Sequence, residues 1–217
     1  MATRERRKGR GRLRPRSENL PQLLFTATII IGALSLLNGW HESDQNVARR
    51  LSMEESREKN ASIPFAAGQG RAEALRFRGS AAAREQAVQC LATAAVYEAG
   101  DDERGQKAVM QVVLNRLARP GYPKTVCGVV YQGAFRTTGC RHSFSCDGSK
   151  SRRPERAGLS TARTAARRAP SGHVFVPVGT ATHYHADWVV PYWIWSLDKV
   201  AQVHSHIFYR PRQRANI

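Results

Sequence analysis

The sequence predicts a mainly helical α+β domain that follows a single N-terminal transmembrane helix and a linker. Three observations support this prediction. Residues 19–40 carry no charged side chain. Apolar residues recur with helical spacing between positions 87 and 117, and the last third of the chain mixes an extended segment, an aromatic cluster and a short helix.

The N-terminal region indicates a membrane anchor with a defined orientation. Eight of the 34 basic residues fall within the first 16 positions, directly before the uncharged run. A run of about 20 residues is long enough to cross a bilayer as a helix. The positive-inside rule keeps the basic tail, residues 1–18, in the cytoplasm and places everything after residue 40 across the membrane. A cleaved signal peptide and a buried core helix are the competing interpretations.

Residues 41–80 are rich in charge, Ser, Ala and Gly, and predict a flexible linker before a folded domain over residues 81–217. All four cysteines, Cys90, Cys127, Cys140 and Cys146, lie beyond the anchor, where an oxidising compartment permits disulfides. Four cysteines allow three connectivities. Cys140 and Cys146 could close a small loop, and Cys90 could remain a buried thiol.

The net charge of +17 favours an anionic partner. The Arg-rich segments "RRPER" and "TARTAARR" would suit nucleic acid. They lie beyond the predicted membrane segment, however, where an anionic polymer is the more available partner. We therefore expect no nucleic-acid partner.

Glu98 interrupts the apolar side of a predicted helix. Ala87, Leu91, Ala94 and Glu98 share one side at helical spacing, and Gly100 is the expected C-terminal cap. A position at the edge of the core and the negative end of the helix dipole both disfavour an ionised carboxylate. A carboxyl group that holds its proton is what general-acid chemistry requires. The alternative is a helix that frays early and leaves Glu98 in solvent.

The elements after Glu98 are a helix, a loop, another helix and a mixed tail. The pattern "GQKAVMQVVLNRLA" predicts a second helix that "RPGYP" ends. A short apolar element, "TVCGVVYQ", precedes the long loop "FRTTGCRHSFSCDGS", and long loops in compact domains are commonly functional. The Ala-rich segment "RAGLSTARTAARRA" predicts a further helix.

Six phrases in this order resemble the cell-wall hydrolase family typified by spore-cortex-lytic enzymes, and especially its Gram-negative relatives. The phrases are "CLATAAVYEA", "GQKAVMQVVLNR", "TVCGVVYQ", "SFSCDG", "ATHYHADWVVPYW" and "HIFYR", and they span about residues 88–210. The turn "GDDER" is a residue shorter than the common form in the family. Asp101, Asp102 and Glu103 therefore have no assigned counterparts.

The resemblance implies a lysozyme-like catalytic domain that cleaves peptidoglycan. It implies that Glu98 is the catalytic glutamate of a lytic transglycosylase that cuts the bond between N-acetylmuramic acid and N-acetylglucosamine. Such chemistry needs no metal and no cofactor. In a Gram-negative cell, the predicted anchor would lie in the inner membrane and the domain in the periplasm.

A glycan-binding cleft needs flat faces and hydrogen-bonding edges. Tyr184 and Trp188 are the candidate stacking residues, and His183 and His185 are candidate polar contacts. Phe144 and Asp147 in the long loop are further candidates for substrate binding. The alternative for aromatics in this region, Trp193 and Trp195 in particular, is core packing.

The sequence is compatible with three other functions. Muramidase hydrolysis requires a second carboxylate, for which the candidates are Asp101, Asp102, Glu103, Asp147 and Asp187. A zinc-dependent amidase could use the two H-x-H pairs, His183 with His185 and His204 with His206, because alternate strand residues share a face. A non-catalytic peptidoglycan-binding module would keep the aromatic and basic residues without a role for Glu98.

Overall fold

The computed structural model describes residues 51–68, 70–72, 74–136, 142–151 and 154–212. The predicted basic tail, residues 1–18, and the predicted anchor, residues 19–40, lie outside this part of the chain. No helix within the described ranges is both long enough and apolar enough to cross a membrane.

The described residues form a mainly helical α+β fold, as the sequence predicts. The five α-helices are α1 (Met53–Ser62), α2 (Ala81–Ala99), α3 (Glu103–Leu117), α4 (Val126–Val130) and α5 (Arg156–Arg168). Short 3-10 helices cover Ser143–Ser145, Ser149–Ser151, Val176–Val178 and Tyr192–Ser196. The three strands are β1 (His183–Ala186), β2 (Leu197–Val203) and β3 (His206–Pro211).

Helix α3 is the central element of the core. On one side, Val109 and Val113 pack with α2, α4 and α5 in the main apolar cluster. On the other side, Ala108 and Val112 pack against Phe208 of the sheet. These four residues belong to the apolar pattern between positions 87 and 117, and contact on two sides explains why α3 is buried over most of its length.

The sheet is antiparallel with strand order β1-β3-β2, so the C-terminal strand lies in the centre. Because strand side chains alternate, its two faces contact different layers. Tyr184 and Phe208 face α3. Ile207 and Tyr209 face the opposite way and pack with Ile194 and residues next to it.

The structure differs from the predicted flexible linker over residues 41–80. Helix α1 lies within that range, and the compact unit begins at Leu51. The buried Asn60 donates hydrogen bonds to the carbonyls of Asp187 (2.7 Å) and Val189 (2.9 Å). Lys199, buried in β2, donates to the carbonyls of Asn60 (2.8 Å) and Ile63 (3.0 Å). Polar groups fix this helix to the sheet, so it lacks the apolar stripe that hydrophobic patterning detects.

One of the possible disulfides joins Cys90 of α2 to Cys127 of α4, closing a loop with a sequence separation of 37. The alternative of a buried free thiol at Cys90 is therefore wrong. Cys146 is also disulfide-bonded, and the predicted loop from Cys140 to Cys146 lies partly outside the described residues. The Cys90–Cys127 link fixes the helix that carries Glu98 to the neighbouring α4.

Candidate active site

Glu98 lies in the last turn of α2, one residue before its final position. Gly100 is the C-cap, as predicted: its φ is +56° and its N–H donates to the Val96 carbonyl at 2.9 Å. The Glu98 side chain is 14% exposed. Its Oε1 is buried and accepts no hydrogen bond from the described residues. Burying a carboxylate oxygen without a hydrogen-bond partner costs free energy, and a purely structural role would not offset that cost. Glu98 is therefore a candidate reactive group.

His142 and Tyr184 lie beside this carboxylate. The His142 ring is buried, with Nδ1 3.7 Å from Glu98 Oε1 and 3.1 Å from the Tyr184 hydroxyl. Its Nε2 lies 3.5 Å from Nη1 of Arg116. A guanidinium can only donate, so in the tautomer that satisfies both contacts Nε2 accepts and Nδ1 carries the hydrogen. Nδ1–H then donates to the Tyr184 oxygen, which leaves the Tyr184 O–H to point toward Glu98.

The electrostatics of Tyr184 agree with this arrangement. Its ring keeps some exposed surface, but its hydroxyl is enclosed by protein atoms, and this burial raises the pKa of Tyr184 well above its ordinary value. The negative charge of Glu98 and a hydrogen bond to it raise this pKa further, whereas Arg116 opposes the rise. The phenol therefore stays protonated and is a hydrogen-bond donor beside Glu98.

The polar residues of α3 place Tyr184 at the site. Asn115 donates to the carbonyls of Gly179 and Ala181, both at 2.8 Å. Arg116 Nε donates to the carbonyl of Thr182 at 2.7 Å. These buried contacts hold the segment that leads into β1, so α3 determines where the Tyr184 side chain begins.

A second polar group borders the site at the turn between β2 and β3. Nδ1 of His204 lies 2.7 Å from Oδ2 of Asp102, the N-cap residue of α3. Within the described part of the chain, His204 alone among non-glycine residues has a positive φ, 49°. His206 is buried, which lowers its pKa, while Glu98, Asp102 and Asp187 oppose that shift through their charges. The charges of all three carboxylates therefore act on His206.

The two loop residues predicted to bind substrate occupy different environments. Phe144 is buried and stacks on Tyr97 with ring centroids 4.9 Å apart, so it belongs to the core rather than to an open cleft. Asp147 is exposed, and its Oδ1 accepts a hydrogen bond from the backbone N–H of Ser149 at 2.8 Å. This contact is typical of a side chain that stabilises a turn.

The predicted histidine contacts lie on the sheet face opposite Tyr184. His183 Nδ1 is 2.9 Å from the Thr182 hydroxyl. The buried His185 contacts the Tyr209 hydroxyl through Nε2 (3.1 Å) and the Ala186 carbonyl through Nδ1 (2.9 Å). This differs from the predicted contact of His185 with a glycan, because both ring nitrogens already have protein partners. Among the described residues, no group of three His, Cys, Asp or Glu side chains is arranged to hold a metal ion.

Trp188 follows β1 and is 38% exposed, in agreement with a surface role. Asp187, the preceding residue, donates its N–H to the Ser205 carbonyl at 2.7 Å and so stays beside His206. The backbone next to Trp188 is therefore fixed to the turn between β2 and β3.

Sequence reasoning missed His142 and Arg116 as site residues and noted His206 only as a possible metal ligand. His142 lies 42 positions from its partner Tyr184, and no local pattern predicts such a contact. Arg116 interrupts an apolar helix at a buried position, a signal that could have identified it.

A groove of about 280 Å³ between α3 and α5 is lined by Lys107, Gln111 and Arg168 among others. Glu98 does not line it. The burial and contacts of Glu98 therefore identify the candidate site.

The comparisons with known proteins agree on one family. The family model described as "Cell Wall Hydrolase" matches residues 100–209, a range that begins two residues after Glu98. The spore cortex-lytic enzyme of Halalkalibacterium halodurans is 35% identical over 123 residues, which cover 56% of this chain and 34% of that protein. That of Bacillus subtilis (strain 168) is 32% identical over 123 residues, with 56% and 36% covered. The chain thus spans little more than a third of the length of these relatives.

A solved structure, the catalytic domain of the Bacillus cereus SleB protein, is similar over 62% of this chain and 95% of that chain, with 28% identity and a TM-score of 0.47. The family assignment rests on the sequence match, which covers half of the chain. The chain belongs to the cell wall hydrolase family.

Proposed function

We propose that this protein cleaves the glycan strands of peptidoglycan as a lytic transglycosylase, with Glu98 as the single acid and base. The observation that carries the proposal is the Glu98 carboxyl group, which is largely buried, has an unpartnered Oε1 and lies beside the Tyr184 hydroxyl. Membership of the cell wall hydrolase family supports the choice of substrate.

The reaction needs one group that first gives and then takes a proton. Protonated Glu98 donates to the oxygen that links N-acetylmuramic acid to N-acetylglucosamine, and the bond from that oxygen to the muramyl C1 breaks. The muramyl C6 hydroxyl then bonds to C1, and its proton returns to the Glu98 carboxylate. The products are a 1,6-anhydromuramyl end and a free N-acetylglucosamine end, and no water is consumed.

Neighbouring carboxylates favour this mechanism over muramidase hydrolysis, which needs a second reactive carboxylate. Asp102 binds His204 and caps α3. Glu103 pairs with Lys107 at 2.5 Å, and Asp187 with Arg57 at 3.4 Å. Each of these carboxylates already has a hydrogen-bonded or ion-paired partner, whereas Oε1 of Glu98 accepts no hydrogen bond from the described residues and has His142 Nδ1 at 3.7 Å.

The site is tested by Glu98→Gln, with Glu85→Gln as the matched control. Both residues lie on α2, but Glu85 is exposed and contacts Gln89 and Arg167. Glutamine keeps the shape of glutamate and cannot transfer a proton. We expect Glu98→Gln to bind purified sacculi and to release fragments about 10²–10⁴ times more slowly, because positioned acid–base groups contribute rate factors of that size. Glu85→Gln should keep the wild-type rate.

Mass analysis of the wild-type products separates the alternatives. Anhydromuramyl ends, lighter by one water than reducing ends, support the proposal. Reducing muramyl ends would indicate a muramidase, and intact glycan with freed peptide stems an amidase. Binding to sacculi without release of soluble fragments would indicate a non-catalytic module.

We also propose that residues 19–40 anchor the protein in the inner membrane, with the N-terminus in the cytoplasm and the catalytic domain in the periplasm. The uncharged run behind a basic tail supports this topology. A reporter that is active only outside the cytoplasm, fused after Ile217, should be active and should fractionate with membranes. A soluble periplasmic product would indicate cleavage of the segment instead.

A further inference from the structure

Exposed aromatic side chains are concentrated in the eight-residue stretch 188–195, which follows β1. Trp188 is 38% exposed, Tyr192 91% and Trp195 52%. Large aromatic side chains left in solvent lose the burial that normally stabilises them, so a cluster of them commonly marks a binding surface. We call these three residues the aromatic surface.

Core packing does not account for the aromatic surface. The 3-10 helix Tyr192–Ser196 is fixed by its other members: Ile194 is buried, and Trp193 packs edge-on against Tyr209 with ring centroids 5.6 Å apart. Tyr192 and Trp195 point away from these contacts. Tyr192 is almost fully exposed and Trp195 about half exposed, so burial does not explain why rings occupy these positions.

Cationic groups accompany the outermost ring. Lys59 Nζ of α1 lies 5.4 Å from the centroid of the Trp195 ring. Arg212 Nη2 donates to the Trp195 carbonyl at 2.6 Å. A ligand that lies along these residues meets flat apolar faces and positive charge together.

Helix α1 contacts the chain at both ends of the aromatic surface. Asn60 donates to the carbonyls of Asp187 and Val189, the residues on either side of Trp188, and Lys59 lies beside the Trp195 ring. Trp193 and Ile194 of the same stretch pack on the sheet face opposite Tyr184. The 3-10 helix that carries Tyr192 and Trp195 therefore lies on the other side of the sheet from Tyr184.

We propose that Trp188, Tyr192 and Trp195 form a stacking surface that binds the glycan strand at a place separate from the bond that is cleaved. Sugar rings present flat patches of C–H groups that pack on aromatic faces, and the carboxylates of the attached peptide stems complement Lys59 and Arg212. This inference rests on the proposed function, because it takes peptidoglycan as the substrate. It adds residues that do not touch the reacting atoms.

The test measures binding to purified sacculi by co-sedimentation, with the full chain and in the Glu98→Gln background so that no glycan is cleaved. The change is the pair Tyr192→Ala and Trp195→Ala. We expect about tenfold weaker half-saturation, the effect of truncating well-placed aromatic contacts. The pair Tyr192→Phe and Trp195→Phe keeps the rings and should restore most of the binding.

Val176→Ala is the matched control, because Val176 is 70% exposed on a separate 3-10 helix. It should bind as the parent does, and all variants should keep the parental denaturation midpoint. Glycan strands stripped of their peptide stems should show the same aromatic dependence.

Unchanged binding by the double alanine variant would overturn the proposal, as would equal loss in Val176→Ala, no binding by the parent, or loss of the aromatic dependence on stripped glycan. These readouts do not depend on bond cleavage. Failure of the proposed function would appear separately, as wild-type protein that releases no fragments.

Discussion

Asp102 joins the start of α3 to the turn between β2 and β3, because its two carboxylate oxygens have different partners. Oδ1 accepts the backbone N–H of Arg104 at 3.0 Å, and Oδ2 lies 2.7 Å from Nδ1 of His204. The same residue thus caps a helix and fixes a turn with a positive φ at the border of the candidate site.

We expect Asp102→Ala to lower the free energy of unfolding by about 0.5–2 kcal/mol, the usual cost of losing an N-cap. His204→Asn removes the pair but keeps the cap, and asparagine tolerates positive φ, so this variant should lose less. Urea denaturation of both variants measures the difference. A larger loss in His204→Asn would show that the turn contact, rather than the cap, is the stabilising interaction.

Tyr184→Phe should slow fragment release about 10- to 100-fold, because a hydrogen bond to a charged group contributes about 1.5–3 kcal/mol and each 1.4 kcal/mol is a factor of ten. The phenylalanine ring keeps the contacts with Phe208. The initial rate on purified peptidoglycan is the measurement, and circular dichroism checks that the fold is retained. A wild-type rate would show that the hydroxyl does not act on Glu98.

Stability should fall on acidification below about pH 6.5, the ordinary pKa of histidine. Burial lowers the pKa of both His185 and His206 in the folded chain. Below pH 6.5 the unfolded chain therefore binds more protons on these rings than the folded chain does, and stability rises with pH across this window.

The measurement is the denaturant midpoint of wild type and of His185→Gln between pH 5 and pH 8. The variant lacks one of the two histidines, so its midpoint should depend less on pH in this range. Parallel curves would show that His185 does not contribute to the acid sensitivity.

Gly158→Ala should destabilise the protein although alanine is the better helix former. A Cβ at Gly158 would lie 2.9 Å from the Gly100 carbonyl oxygen and 3.3 Å from Asp101 Cα. Overpacking of this kind typically costs about 1–3 kcal/mol, more than the roughly 1 kcal/mol that helix propensity returns. Ala157→Ser, at an exposed position of the same helix, is the control for denaturation experiments.

An increase in stability for Gly158→Ala would mean that α5 can move away from the end of α2. In that case fragment release should be measured as well, because Glu98 lies two residues before Gly100.

The helical half of the fold was predictable because its signals are local. Apolar spacing predicted the helices that became α2 and α3, and Gly100 marked the end of α2. Helix α1 was missed because its contacts with the sheet are polar. Its start carries the capping box Ser52 and Glu55, a sequence signature that could have revealed it.

The site was only partly predictable. Glu98 stood out because a carboxylate interrupts an apolar helix side. The roles of His142 and Arg116 depend on contacts between distant parts of the chain, which no spacing rule encodes. Phe144 was predicted to bind substrate but is buried. The sequence of a loop does not show whether an aromatic ring packs into the core or faces solvent.

The buried ammonium group of Lys199 has a practical consequence for shortened forms of the protein. A fragment that starts at Ala81, the boundary that composition suggests, would lack the Asn60 and Ile63 carbonyls that accept its hydrogen bonds. The apolar cluster of Ile194, Ile207 and Tyr209 would also lose its contact with Ile63, next to an unsatisfied cation, a combination that promotes aggregation during expression. Expression fragments should therefore begin no later than Leu51.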